Sequence, residues 1–64
     1  MPKILFNQQI ADDTITVDQA DNGAHSIYVN GTITVFGLSA SVAITELDEQ
    51  IKFAYARQQE RNAK

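Results

Sequence analysis

The segment from Asp18 to Gly23 has the residue types that a calcium-binding loop needs at its first, fifth and sixth positions. Such a loop also needs an oxygen ligand at its third position and a bidentate glutamate at its last. Those positions hold Ala20 and Val29, and neither side chain can bind a cation. The segment therefore predicts a tight turn at Asn22-Gly23 and no metal site.

His25 is the single histidine and could act as a general base beside Asp18 and nearby hydroxyl groups. A catalytic site also needs a concave pocket that excludes water, and 64 residues offer little volume for one within a single subunit. The chain has no cysteine, which excludes disulfides and thiolate zinc sites. We therefore expect no catalytic residues, no metal and no cofactor, and the chain is not predicted to be an enzyme.

The charge balance favours a protein partner over nucleic acid. Five Lys and Arg residues stand against eight Asp and Glu, giving a net charge of -3. This charge opposes the counterion release that dominates affinity for nucleic acid. The clustered acids Asp12, Asp13, Asp18 and Asp21 predict an acidic patch that would attract a basic protein.

Two other kinds of site remain open. Nucleic acid could bind weakly through a basic C-terminal helix that carries Lys52, Arg57, Arg61 and Lys64. A small ligand or nucleotide could instead bind between subunits. Its polar contacts would be Asn7, His25 and the threonines, with Phe36 as a stacking surface.

The elements that must position these residues belong to an α+β fold in one domain, residues 1–64. Apolar and β-branched runs predict four short strands within residues 3–36. Asn22-Gly23 and Asn30-Gly31 are typical of two-residue type I′ turns, so the strands should form an antiparallel meander. Residues 37–45 form a connection whose conformation the sequence leaves open, and a helix is expected at about 46–62.

These turn lengths assign the strand residues to two faces, because residues directly opposite in an antiparallel pair lie on the same side. The side facing the helix is predicted to hold Ile4, Phe6, Ile10, Ile15, Val17, Tyr28, Ile33 and Val35. The outer side is predicted to hold Leu5, Asn7, Thr14, Thr16, Asp18, His25, Ile27, Val29, Thr32, Thr34 and Phe36. The quartet Thr-Ile-Thr-Val, which occurs at 14–17 and 32–35, is thus expected to direct its threonines outward both times.

The helix should begin after Thr45, a good N-cap residue followed by acidic residues that suit the helix dipole. Its buried stripe is predicted to comprise Leu47, Ile51, Ala54, Tyr55 and Gln58. Phe53 lies outside this stripe, on the helix flank.

Apolar residues left over on the outer face and helix flank predict an interaction surface. A chain of this size is marginally stable alone, so a homodimer or higher oligomer is expected. The predicted partner or oligomer interface comprises Leu5, Ile27, Val29, Thr32, Thr34, Phe36 and Phe53. The function expected is a non-enzymatic protein-binding module, such as a virus-type inhibitor or assembly factor. It should be cytoplasmic, since no signal peptide or membrane span is evident.

Two segments resemble parts of known small proteins. Ala40 to Ile51, following several strands, is similar to the carbon-storage-regulator RNA-binding proteins, which are dimers whose last strand leads into a helix. The basic residues with which that family binds RNA are missing here. Tyr28 to Val35 with Glu46 to Ile51 is similar to the hairpin and helix of phage W-type head-completion proteins, whose chain begins with a helix instead. Neither resemblance assigns a site residue.

Overall fold

A computed structural model describes residues 2–63, which form four strands followed by one helix. The elements are β1 (Lys3–Ile10), β2 (Asp13–Gln19), β3 (His25–Val29), β4 (Thr32–Leu38) and α1 (Ala40–Asn62). The sheet is antiparallel in the order β1-β2-β3-β4, and α1 packs against one of its faces. The predicted α+β meander is therefore confirmed.

The hydrophobic core lies between α1 and the two central strands. Its buried members are Ile15, Val17, Ile27 and Ala54. The partly buried residues packed around them are Phe6, Ile10, Leu38, Leu47 and Ile51. Only a few side chains are fully enclosed, as is usual for so small a domain.

The β3–β4 hairpin has the predicted turn. Asn30 and Gly31 both have positive φ, at 54° and 82°, as a type I′ turn requires. Val29 pairs with Thr32, so the loop contains the two expected residues.

The β2–β3 hairpin has a loop one residue longer than predicted. The carbonyl of Ala20 accepts a hydrogen bond from the N–H of Gly23 at 2.9 Å, and the N–H of Ala20 donates to Ala24 at 2.8 Å. Gly23 has positive φ (88°), whereas Asn22 does not. This is the three-residue hairpin loop in which a type I turn is followed by one left-handed residue.

That single extra residue exchanges the two faces of β3. Val17 pairs with Ile27 instead of Tyr28, and Ile27 is 0% exposed in the core. A register shift of one residue moves every side chain of a strand to the other face. The outer-face prediction was therefore wrong for His25, Ile27, Val29 and Thr32, and the helix-face prediction was wrong for Tyr28.

Ile33 lies on the outer face because it keeps its predicted pairing with Tyr28, and a bulge in β4 returns Val35 to the helix side. Tyr28 pairs with Ile33 and Ile27 pairs with Val35, which leaves Thr34 as the extra residue of a bulge. Val35 therefore faces the helix as predicted, but Ile33 does not.

A register shift also affects β1. Ile4 pairs with Asp18 and Phe6 pairs with Val17, so Leu5 is the extra residue. Ile4 consequently lies on the outer face, whereas Leu5 contributes to a groove on the helix side. Both assignments differ from the prediction, because an isolated bulge leaves no composition signal in the sequence.

The helix begins earlier than Thr45. Ser39 is the N-cap, and its hydroxyl accepts a hydrogen bond from the N–H of Val42 at 3.4 Å. Thr45 lies inside the helix, where its hydroxyl donates to the carbonyl of Ser41 at 3.4 Å. Residues 37–45 are thus the end of β4, the cap and the first turns of α1. Ser39 and Thr45 are both good cap residues, and the earlier one places the buried residue Ala43 within the helix.

The buried face of α1 is rotated from the predicted stripe. Its buried residues are Ala43, Gln50 and Ala54, while Tyr55 is half exposed. Positions 43, 47, 50 and 54 follow the three- and four-residue spacing of one helix face. The small side chains of Ala43 and Ala54 let the helix lie close to the sheet.

A buried carboxylate joins the end of α1 to two hairpin turns. Asp13 is 2% exposed; Arg57 donates to its Oδ2 at 2.9 Å and Asn30 donates to its Oδ1 at 2.9 Å. Arg61 Nη2 lies 3.6 Å from the same carboxylate. Asn30 also accepts from the N–H of Thr14 at 2.9 Å. We call Asp13, Asn30, Arg57 and Arg61 the Asp13 cluster.

Removing the charge of Asp13 should destabilise the fold. We expect Asp13→Asn to lower the free energy of unfolding by about 2 kcal/mol, less than for a fully buried pair because the Arg57 side chain is 37% exposed. Urea denaturation at pH 7 measures this. The matched control is Asp12→Asn, which removes only a half-exposed ion pair with Arg61 and should cost under about 1 kcal/mol. Equal losses in both variants would contradict the role of the Asp13 cluster.

The Asp13 cluster also predicts loss of stability in acid. The hydrogen bond from Asn30 and then that from Arg57 lower the pKa of Asp13 from its ordinary 3.8, against an opposing effect of burial. A carboxyl whose pKa is lower in the folded state stabilises the fold above its unfolded pKa, and this contribution is lost as pH falls through the folded value. Urea titrations from pH 7 down to pH 2 should show a shallower acid loss for Asp13→Asn than for the wild type.

Candidate functional site

An open apolar groove lies between β1 and the first half of α1. Its volume is about 320 Å³, and it is lined by Leu5, Phe6, Val17, His25, Ala40, Ala43, Ile44 and Leu47. Ile44 is 71% exposed at its rim and Leu5 is half exposed. Most of the lining is aliphatic or aromatic, so the groove suits an apolar group.

The apolar surface continues along the same flank of α1. Ile51 and Tyr55 lie near Ile44 around the helix axis, at about 100° per residue, and Tyr55 is half exposed. Asp48 also lies on this flank, and its charge is balanced by Lys52 at 3.0 Å. The nearly neutral area formed by Leu5, Ile44, Ile51 and Tyr55 is called the β1-side surface.

The opposite flank of α1, toward β4, is acidic. Val42 and Phe53 are about half exposed there. Helical spacing places Glu46, Glu49 and Glu60 on the same flank.

The β4 strand adds two apolar residues on the outer face of the sheet. Phe36 is 72% exposed and Ile33 is about half exposed. We call Ile33 and Phe36 on the outer face, together with Val42 and Phe53 on the helix flank beyond the edge of β4, the β4-side surface. Of these, Phe36 and Phe53 belong to the predicted interface, whereas Ile33 and Val42 were missed. The three glutamates of this flank were also missed, although their helical spacing relative to Phe53 could have revealed them.

The centre of the outer face is polar. Thr16 donates to Asn7 at 3.3 Å. Tyr28 hydrogen-bonds Asp18, and this bond together with burial raises the pKa of Tyr28. Thr14 and Thr16 lie on this face as predicted, so the apolar residues of the outer face are confined to its two edge strands.

The residues predicted to hold a small ligand do not converge in one chain. His25 is buried beside the groove, where its Nδ1 donates to the carbonyl of Leu38 at 3.3 Å. Asn7 and Phe36 lie on the other face of the sheet, on opposite edge strands.

The predicted acidic patch is also divided. Asp12 and Asp13 are neutralised by arginines, Asp18 lies on the outer face with Tyr28, and Asp21 lies in the turn before Gly23. The closeness of these aspartates in the sequence did not reveal that Asp12 and Asp13 form ion pairs with arginines of α1.

The basic helix end is engaged in ion pairs. Arg57 and Arg61 contact Asp13 and Asp12, and Lys52 contacts Asp48. Lys64 lies outside the described residues. These internal partners lower the positive charge that the helix presents to a phosphate backbone.

Residues 2–63 contain neither a cation site of clustered ligands nor a helix that could span a membrane. No three His, Cys, Asp or Glu side chains in this range are grouped to hold a metal ion. Helix α1 lacks the long apolar stretch needed to cross a membrane. Comparison of the chain with known proteins found no matching family model, curated protein or solved structure.

Proposed function

We propose that this chain is a small non-enzymatic protein-binding module that captures a partner protein along its β4 side. The exposure of Phe36 carries the proposal. An aromatic ring that is 72% exposed at the edge of a sheet gains most when a partner covers it. Ile33 beside it enlarges the apolar contact.

The charges around this surface indicate the chemistry of the partner. Glu46, Glu49 and Glu60 lie on the same helix flank as Val42 and Phe53, and the chain as a whole carries a charge of -3. Complementary charge steers association and rejects wrong partners. The partner is therefore a protein whose contact surface combines apolar side chains with lysine or arginine.

The edge position of β4 provides a second means of attachment. An extended segment of the partner can add to the sheet beside β4 through main-chain hydrogen bonds. Its side chains then meet Phe36 on the outer face and Phe53 on the helix side. A module of this kind acts by covering a surface of its partner, which is the action of a small inhibitor or assembly factor.

The partner can be identified by photo-crosslinking from the proposed surface. A benzophenone amino acid placed at position 36 should crosslink a basic protein in cells that make the chain. The same probe at Gln9, on the opposite edge strand, should not crosslink that protein.

The purified partner then tests the surface directly. Phe36→Asp and Phe53→Asp should each raise the Kd by about thirtyfold, as expected for a central apolar anchor. The control is Ile4→Asp, an exposed aliphatic residue at the far edge of the outer face, which should leave the Kd unchanged. Wild-type affinity of both phenylalanine variants, with native circular dichroism, would refute the proposal.

A further inference from the structure

The outer edge of β1 has backbone groups directed away from its own sheet. The N–H of Thr14 bonds the side chain of Asn30, and its C=O accepts from the N–H of Asn30. The backbone of Thr14 therefore bonds toward β3. Gln9 is opposite Thr14 in β1, so its own backbone N–H and C=O point outward, away from β2. The direction of backbone hydrogen bonding alternates along a strand, so the N–H and C=O of Asn7, two residues before Gln9, also point outward.

This edge lacks two usual protections against pairing. Edge strands are commonly blunted by charged residues or proline. Within β1 the single charged residue is Lys3, at its start, and the single proline of the chain is Pro2, before the strand. The strand has eight residues, which is long enough for several main-chain hydrogen bonds.

We propose that β1 pairs antiparallel with β1 of a second copy, forming a two-fold symmetric dimer. The two four-stranded sheets then become one continuous eight-stranded sheet, and the same β1 residues of both copies form the contact. This inference does not rest on the proposed partner capture, because that function uses the opposite edge of the sheet.

The distribution of charge favours pairing through β1 over pairing through β4. Antiparallel overlap of the two eight-residue strands brings Lys3 of each copy beside the turn at 11–13 of the other copy. Asp12 and Asp13 there are paired with Arg61 and Arg57, so the turn has no net charge and does not repel Lys3. The same pairing through β4 would bring the glutamates of the two α1 flanks toward one another, which opposes it.

The β1-side surface gives a second reason. In the paired sheet both helices lie on one face and run in opposite directions, since the symmetry reverses the second copy. The two grooves then face each other across the joined strands. Leu5, Ile44 and Tyr55 of both copies line one shared trough, which reduces their contact with water. The small strand-pairing contact predicts a concentration-dependent dimer.

Sedimentation velocity across a concentration series tests the dimer. The wild-type chain should pass from monomer to dimer, and Gln9→Pro should raise the dimer Kd at least about tenfold because proline removes an outward N–H. The fold should persist, since this N–H bonds no neighbour within the chain. The matched control is Ile33→Pro, on the outer edge of β4, which should leave the dimer Kd within about twofold of the wild type.

Hydrogen exchange on the wild-type protein provides a measurement that needs no variant. The amides of Asn7 and Gln9 should become protected as concentration rises, while that of Ile33 should not. A chain that stays monomeric at all concentrations would overturn the inference. So would a dimer whose Asn7 and Gln9 amides exchange freely. In either case capture of the partner at Phe36 is unaffected, so the two proposals fail separately.

Discussion

The buried carboxylate of Asp13 is the contact that joins the sheet, through β2 and the β3–β4 turn, to the C-terminal half of α1. It lies at the start of β2, directly after the β1–β2 turn, and it receives hydrogen bonds from the β3–β4 turn and from α1. A buried charge is costly unless it is paired and hydrogen-bonded, and here three side chains supply the partners. Arg57 Nη2 is itself buried without a partner among the described residues, so the arrangement is not fully satisfied. The cluster thus fixes the position of the helix where apolar burial alone is sparse.

The width of one helix explains why apolar surface remains exposed. An α-helix about 10 Å across covers roughly two strands spaced about 4.8 Å apart. Here α1 packs on β2 and β3, with a lesser contact to β1. The helix-side faces of the two edge strands are therefore only partly covered. The groove beside β1 follows directly from a four-stranded sheet with a single helix.

The two sides of the helix differ in charge, and this difference separates two kinds of interaction. The flank toward β1 has Ile44, Ile51 and Tyr55 with a balanced Asp48, so it presents little net charge. The flank toward β4 has Val42 and Phe53 among glutamates. Two identical copies can meet through a neutral surface, whereas an acidic one attracts a partner of opposite charge. Both proposals thus derive from how the same helix distributes its residues around its axis.

The sequence by itself determined the kinds and order of the elements. Asn-Gly pairs between β-branched runs specify hairpins through the left-handed backbone that a type I′ turn or a glycine position requires. The long stretch without helix breakers specifies a C-terminal helix. These signals are local, because each depends on the conformational preference of a few adjacent residues.

The faces were decided by the tertiary structure. Side chains in a strand alternate with a period of two, so one additional loop residue near Gly23 was enough to bury Ile27 and to place Tyr28 on the outer face. The same extra residue turned Ile33, the partner of Tyr28, outward, and the bulge at Thr34 kept Val35 of the second Thr-Ile-Thr-Val quartet on the helix side. Ile15 of the first quartet is in the core, while Ile33 of the second faces outward. Identical local sequences therefore have different surroundings, because loop length and bulges are selected by packing of the whole sheet against α1.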